Sequence, residues 1–90
     1  MKRKDHEEIM KILNYFLEIN EIDNKIMFNK QLQKLLQLAN KNNYKSTDDL
    51  KSLMKNVTEK MIRFNQTNEL PDSVFIPFAL TATEINEECL

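Results

Sequence analysis

Two side chains in this 90-residue chain are soft enough to ligate a transition metal or to assist a nucleophile, His6 and Cys89, one near each terminus. A metal centre needs several converging His, Cys or carboxylate ligands, and nucleophilic catalysis needs a base beside its Ser, Thr or Cys. Neither pattern is readable here, and His6 reads as a surface residue in or beside a helix's first turn. The acidic groups come next. Asp48 and Asp49 open a helical stretch, where carboxylates favour the helix dipole, and that accounts for them better than acid–base work. Glu84, Glu87 and Glu88 fall on one face near the end of the chain and read as solvated. Glycine is absent, which removes phosphate-cradling loops and dinucleotide fingerprints. The expectation is a chain with no enzymatic activity, metal or cofactor, acting through recognition of a protein partner.

The elements that would carry such a surface are helices. Apolar residues make up 41% and charged residues 30% of the chain, proportions of an ordinary globular domain. Without glycine, β-hairpins and tight turns are disfavoured, and asparagine must end helices wherever a left-handed residue is required. Asn20, Asn24, Asn40, Asn42, Asn43 and Asn68 stand where ends are expected.

One stripe is clearest. Leu50, Met54, Val57, Met61 and Phe64 recur every three or four residues, one per helical turn, with Leu53 and Ile62 widening the face. Ser46 and Asp49, three apart, have the spacing of a capping box, so a helix is predicted over 47–66. Asp5 and Glu8 repeat that spacing before Ile9, Ile12, Leu13, Phe16, Leu17 and Ile19, predicting a helix over 5–21. Phe28, Leu32, Leu35 and Ala39, flanked by Leu36 and Leu38 and capped by Asp23 or Asn24, predict one over 25–41. Phe78, Ala82 and Ile85, with Val74, Phe75, Ala79 and Leu80, predict the last over 72–87. Pro77 lies inside it, so this helix is expected to be kinked, or shortened to begin at Pro77. Its acidic end has the wrong sign for a helix C-terminus, which predicts fraying from Glu87.

Four such helices and short loops suit a single domain spanning 1–90. The expected fold is all-α, an antiparallel up-down-up-down four-helix bundle whose core holds these stripes. Charge is divided within it. Residues 1–45 carry nine Lys and Arg against six acids, residues 46–90 four against eight, and no cation follows Arg63. The acidic end is a poor partner for nucleic acid or anionic lipid and a better one for a cationic peptide. A helix-turn-helix reading of residues 26–64 fails on loop length and on the mixed charge of its second helix. No window approaches the roughly 20 apolar residues of a membrane span, and charges interrupt the stretch after the basic Met1–Lys4. A monomer in the cytoplasm, or at the inner face of the membrane, is expected.

Within this layout, Leu50-x-x-Leu53-Met54-x-x-Val57-x-x-x-Met61, then Thr67-Asn68-x-Leu70 and a short last helix, resembles the immunity proteins of pediocin-like (class IIa) bacteriocins. The likeness covers residues 5–88 in helix layout and 50–70 in residue pattern. The chain departs from the family in lacking glycine and in placing Pro77 inside the last helix. The resemblance implies a small cytosolic bundle that protects a producer cell from its own bacteriocin. It further implies action on the membrane component of the mannose phosphotransferase system carrying bound bacteriocin. Specificity would then lie in Thr67, Asn68, Glu69, Asp72, Glu84, Glu87 and Glu88. Two other classes remain open on the residues alone: a phage or mobile-element inhibitor or antitoxin, and a helical adapter that dimerises through a spare apolar stripe.

Overall fold

A computed structural model describes residues 2–87, with the backbone alone for Glu87. Four α-helices follow in order, α1 Arg3–Glu18, α2 Lys25–Lys41, α3 Asp48–Gln66 and α4 Asp72–Glu87, and the described residues contain no strand. The bundle measures 33 × 23 × 19 Å. Antiparallel pairs are joined by side chains at their ends. Lys41 pairs with Asp5 at 3.2 Å and Lys34 with Glu8, setting the second half of α2 against the first half of α1. The Ser46 hydroxyl donates to the Ile85 carbonyl (3.5 Å) and Asn65 to Asp72 (2.9 Å), setting α3 against α4. Lys60, late in α3, donates to the Leu17 carbonyl at the end of α1 (2.6 Å), so these two helices run parallel.

Around the core the helices therefore stand in the order α1, α2, α4, α3. α1 touches α2 and α3, α4 touches α3 and α2, and the pairs α1/α4 and α2/α3 face each other diagonally. The α2–α3 link must cross one end of the bundle to do this. It turns on two successive left-handed residues, Asn43 (φ 55°) and Tyr44 (φ 60°). Asn43 closes α2 as the predicted asparagine cap: its amide donates to Asn40 (3.0 Å) and the Tyr44 amide to Ala39 (2.8 Å). Asn68 (φ 63°) closes α3 the same way, while Asn20, Asn24, Asn40 and Asn42 do not take that conformation.

The core is the predicted set with a few exchanges. Ile9, Ile12, Leu13, Phe16, Phe28, Leu32, Leu35, Leu50, Met54, Val57, Met61, Phe64, Phe78, Ala82 and Ile85 are buried, joined by Ala39 and Leu70. Leu36, assigned to the core by its spacing, is only half-buried, because it stands at the edge of α2 that meets α4. Ile62 and Leu80 were expected to be covered and are exposed. In a ring of four helices each member has two neighbours, so the apolar arc that is covered is narrower than these stripes are wide.

Three predicted helix ends change. α1 begins at Arg3 and stops at Glu18, short of residue 21, with Ile19 extended; Lys60 already occupies the Leu17 carbonyl that another turn would redirect. The cap of α3 is Thr47, whose hydroxyl accepts from the Leu50 amide (3.3 Å), while the Ser46 hydroxyl reaches across to α4. Asp5 caps nothing. It lies inside α1, 8% exposed, accepting from the Asn42 side chain at 3.2 Å beside Lys41. α4 runs unbroken through Pro77, so residues 72–76 are helical and the shortened alternative does not occur. The fraying expected from Glu87, and Glu88 and Cys89 themselves, lie outside the described residues.

These ties predict a pH dependence. The Asn42 hydrogen bond, then Lys41, holds the Asp5 carboxyl below its ordinary value, and the Lys34 hydrogen bond lowers Glu8. A carboxyl lowered by folding stabilises the native state above its unfolded value and loses that contribution as pH falls through the folded one. Tm is expected to hold near neutrality and to fall below about pH 4. Asp5→Asn should melt lower than the wild type at pH 7, with the gap closing toward acid. Thermal melts of both proteins across pH check this, and a constant gap would contradict it.

Candidate functional site

The turn between α3 and α4 gathers four of the residues singled out for partner binding. The end of α3 builds it: Asn68 donates to Asn65 (3.1 Å) and the Glu69 and Leu70 amides to Phe64 (2.9 and 3.1 Å). Asn68 takes the left-handed position for which asparagine has the lowest cost after glycine. Leu70 then turns inward and is 2% exposed, anchoring the loop in the core. The Asn65 side chain donates to the Leu70 carbonyl (2.8 Å) and to Asp72 (2.9 Å), tying both ends of the loop together. The Pro71 carbonyl accepts from Val74 (3.0 Å) and Phe75 (2.9 Å), which starts α4.

The side chains of Thr67 and Glu69 serve this construction as well as facing solvent. Thr67 Oγ1 stands 3.1 Å from the Phe64 carbonyl and 3.3 Å from Glu69 Oε1, and its single proton serves one acceptor at a time. The other Glu69 oxygen accepts from the Ile22 amide at 3.5 Å, joining this turn to the α1–α2 loop. Beside them Asn24 caps α2 by accepting from the Met27 amide at 3.0 Å. The two loops enclose a cleft of about 280 Å³ over Phe28, Leu70 and Val74, with Lys25 and Glu69 at its rim.

The predicted set is thus divided. Thr67, Asn68, Glu69 and Asp72 meet at one end of the bundle; Glu84 is exposed on α4 roughly 18 Å further along the helix. Glu87 lies beyond it in the last turn and Glu88 outside the described residues. They do not form one acidic patch.

What the sequence stripes hid is the outer face of α4. Ile76 is 52% and Leu80 64% exposed, four residues apart on one side of the helix. Pro77 stands between them. It lacks the N–H that would donate to the Ser73 carbonyl one turn back. The signal in the sequence is the composition of 74–80, apolar at nearly every position, which leaves more greasy side chains than one buried arc accommodates.

At the opposite end, Arg3, His6, Lys45, Ser46 and Thr47 line a shallow cleft, with His6 half-buried rather than freely exposed and Arg3 paired to Glu7 at 3.1 Å. Burial, then the nearby Arg63 charge, lowers Lys60 from its ordinary value. Among the described residues no three His, Cys, Asp or Glu side chains gather as metal ligands, and no helix is long and apolar enough to cross a membrane. Comparison with protein-family models, curated proteins and solved structures returned no match.

Proposed function

We propose that this protein is an immunity protein of the pediocin-like bacteriocin type, protecting its host by binding a receptor–bacteriocin complex from the cytosolic side. The observation that carries this reading is α4. It keeps two large aliphatic side chains in solvent, and every charged residue on it is acidic. Contiguous exposed apolar patches mark sites of protein contact, and Ile76 and Leu80 stand one turn apart on the same side of α4. A negative surround favours a cationic partner such as a bacteriocin. The ordered 67–72 turn adjoins this helix and holds the Thr67-Asn68-x-Leu70 residues on which the resemblance rests. In this reading α1 and α2 are scaffold, and α3 presents the turn and α4 to the partner.

Expression of the chain in a bacteriocin-sensitive host tests the reading. Resistance to one subgroup of class IIa bacteriocins is the expected outcome, read as a rise in the inhibitory concentration across a panel. Unchanged killing across that panel, with the protein present in the soluble fraction, removes the assignment.

A further inference from the structure

The last turns of α3 bring two cations into one cleft. Lys60 and Arg63, three residues apart and so on one side of the helix, line it with Asn20 from the α1–α2 loop. Phe64, Thr67 and Glu69 complete the lining, and the cleft holds about 340 Å³. Lys60 is half-buried, and its ammonium donates to the Leu17 carbonyl at 2.6 Å, which holds the charged head in place. Two of its three N–H groups remain for another acceptor.

Nothing nearby balances this pair. The ion pairs among the described residues are Arg3–Glu7, Lys34–Glu8 and Lys41–Asp5, and neither Lys60 nor Arg63 takes part in one. Glu69 is the acid among the lining residues, and both its oxygens have other partners. Oε1 stands 3.3 Å from the Thr67 hydroxyl, and Oε2 accepts from the Ile22 amide at 3.5 Å. Burial, then the like charge of Arg63, lowers the Lys60 ammonium, and no described carboxylate acts against them. A helix C-terminus attracts cations through its free carbonyls. Here the Arg63 carbonyl accepts from the Thr67 amide (3.1 Å), that of Asn65 from Asn68 (3.1 Å) and that of Phe64 from Glu69 (2.9 Å). The cleft thus carries more positive charge than its own acid and helix end take up.

We infer that this cleft is a phosphate-binding site, in which the Arg63 guanidinium and the Lys60 ammonium together hold the dianionic group and the Asn20 side chain adds a neutral donor. Two cations match the charge of a phosphate or phosphate monoester, whereas a single carboxylate leaves one of them unanswered. The guanidinium fork fits two phosphate oxygens, and the ammonium acts as a point charge. The inference stands apart from the bacteriocin reading, which rests on α4, and each can fail without the other.

Isothermal titration of the full chain at constant ionic strength tests it. Inorganic phosphate is expected to bind at one saturable site with a Kd of roughly 0.1–1 mM, and glutamate at least about tenfold more weakly. Phosphoserine separates the sources: affinity equal to or above that of inorganic phosphate points to an ester, lower affinity to the free ion. Arg63→Gln should weaken phosphate binding by at least about tenfold with Tm almost unchanged, since Arg63 is exposed. Lys55→Gln removes the same charge from an exposed position elsewhere on α3 and should leave binding as it is. Lys60 gives a readout without substitution: saturating phosphate should slow acetylation of its amine and leave that of Lys55 unaltered. Absence of saturable binding overturns the inference, as does glutamate binding equal to that of phosphate. Equal weakening by Arg63→Gln and Lys55→Gln also overturns it, and would mean that Lys60 and Arg63 serve only the helix ends.

Discussion

Met61→Asp is expected to unfold the protein. Met61 is 1% exposed, on the α3 stripe between Val57 and Phe64, and no described cation or unpaired donor lies buried in the core to receive a carboxylate. Burying that charge unpaired costs several kcal/mol, and even the neutral acid forfeits the apolar contacts of the thioether. A domain of this size has a total stability of about 5 kcal/mol, so the two penalties together exceed what is available. Far-ultraviolet circular dichroism at neutral pH should show the helical signal lost in the variant. Met61→Leu, close in volume, should stay folded within about 1.5 kcal/mol of the wild type. A helical Met61→Asp protein with an unchanged melting point would mean that Met61 faces solvent and that the packing described here is wrong.

Phe16→Ala is expected to be the most damaging truncation. Phe16 is fully buried on α1, its ring centroid 5.1 Å from Phe28 of α2 and 5.3 Å from Tyr15 in a tilted, edge-on cluster. Removing the ring takes away its burial and both ring contacts and leaves a cavity that the helix backbones cannot close. Such replacements cost about 3–5 kcal/mol. At about 4–8 °C per kcal/mol for a domain of this length, Tm should fall by at least about 12 °C, or the variant should be unfolded at room temperature. Ile26→Ala is the contrast. Ile26 is 84% exposed, and its truncation should move stability by no more than about 0.5 kcal/mol. Urea melts of the two variants beside the wild type read both values. Similar midpoints for Phe16→Ala and Ile26→Ala would contradict the assignment of the core.

Much of the fold was legible because helical periodicity is local. The step of three and four along Leu50, Met54, Val57, Met61 and Phe64 needs no partner to be read, and all five are buried. The bounds of α2 and α4 follow from capping chemistry close in sequence, the Asn24 side chain in one case and the Pro71 carbonyl in the other. Asp5 misled for the same reason. Its spacing to Glu8 is that of a cap, but Asn42 and Lys41, distant in sequence, supply stronger partners than the first turn of its own helix. Ser46 misled likewise, since its neighbour Thr47 takes the cap while Ser46 bonds across to Ile85.

The candidate site was legible in part. The asparagine at position 68 announced a left-handed helix end, and the absence of cations after Arg63 announced an acidic last helix. Exposure was not readable, because Ile62, Leu80 and Leu36 belong to the same apolar runs as residues that are fully buried. Which member of a run meets water depends on how many neighbours a helix has and at what angles they stand.

The residues by themselves determined that there are four helices and where the stripes lie on each, because both depend on groups within a few turns; which of the six asparagines reverse the chain, Asn43 and Asn68, only the structure showed. Only the tertiary structure decided that α2 and α3 stand diagonally apart and that α2 and α4 leave a groove between them. Those outcomes depend on which apolar faces meet, a competition among alternative pairings that no single helix contains.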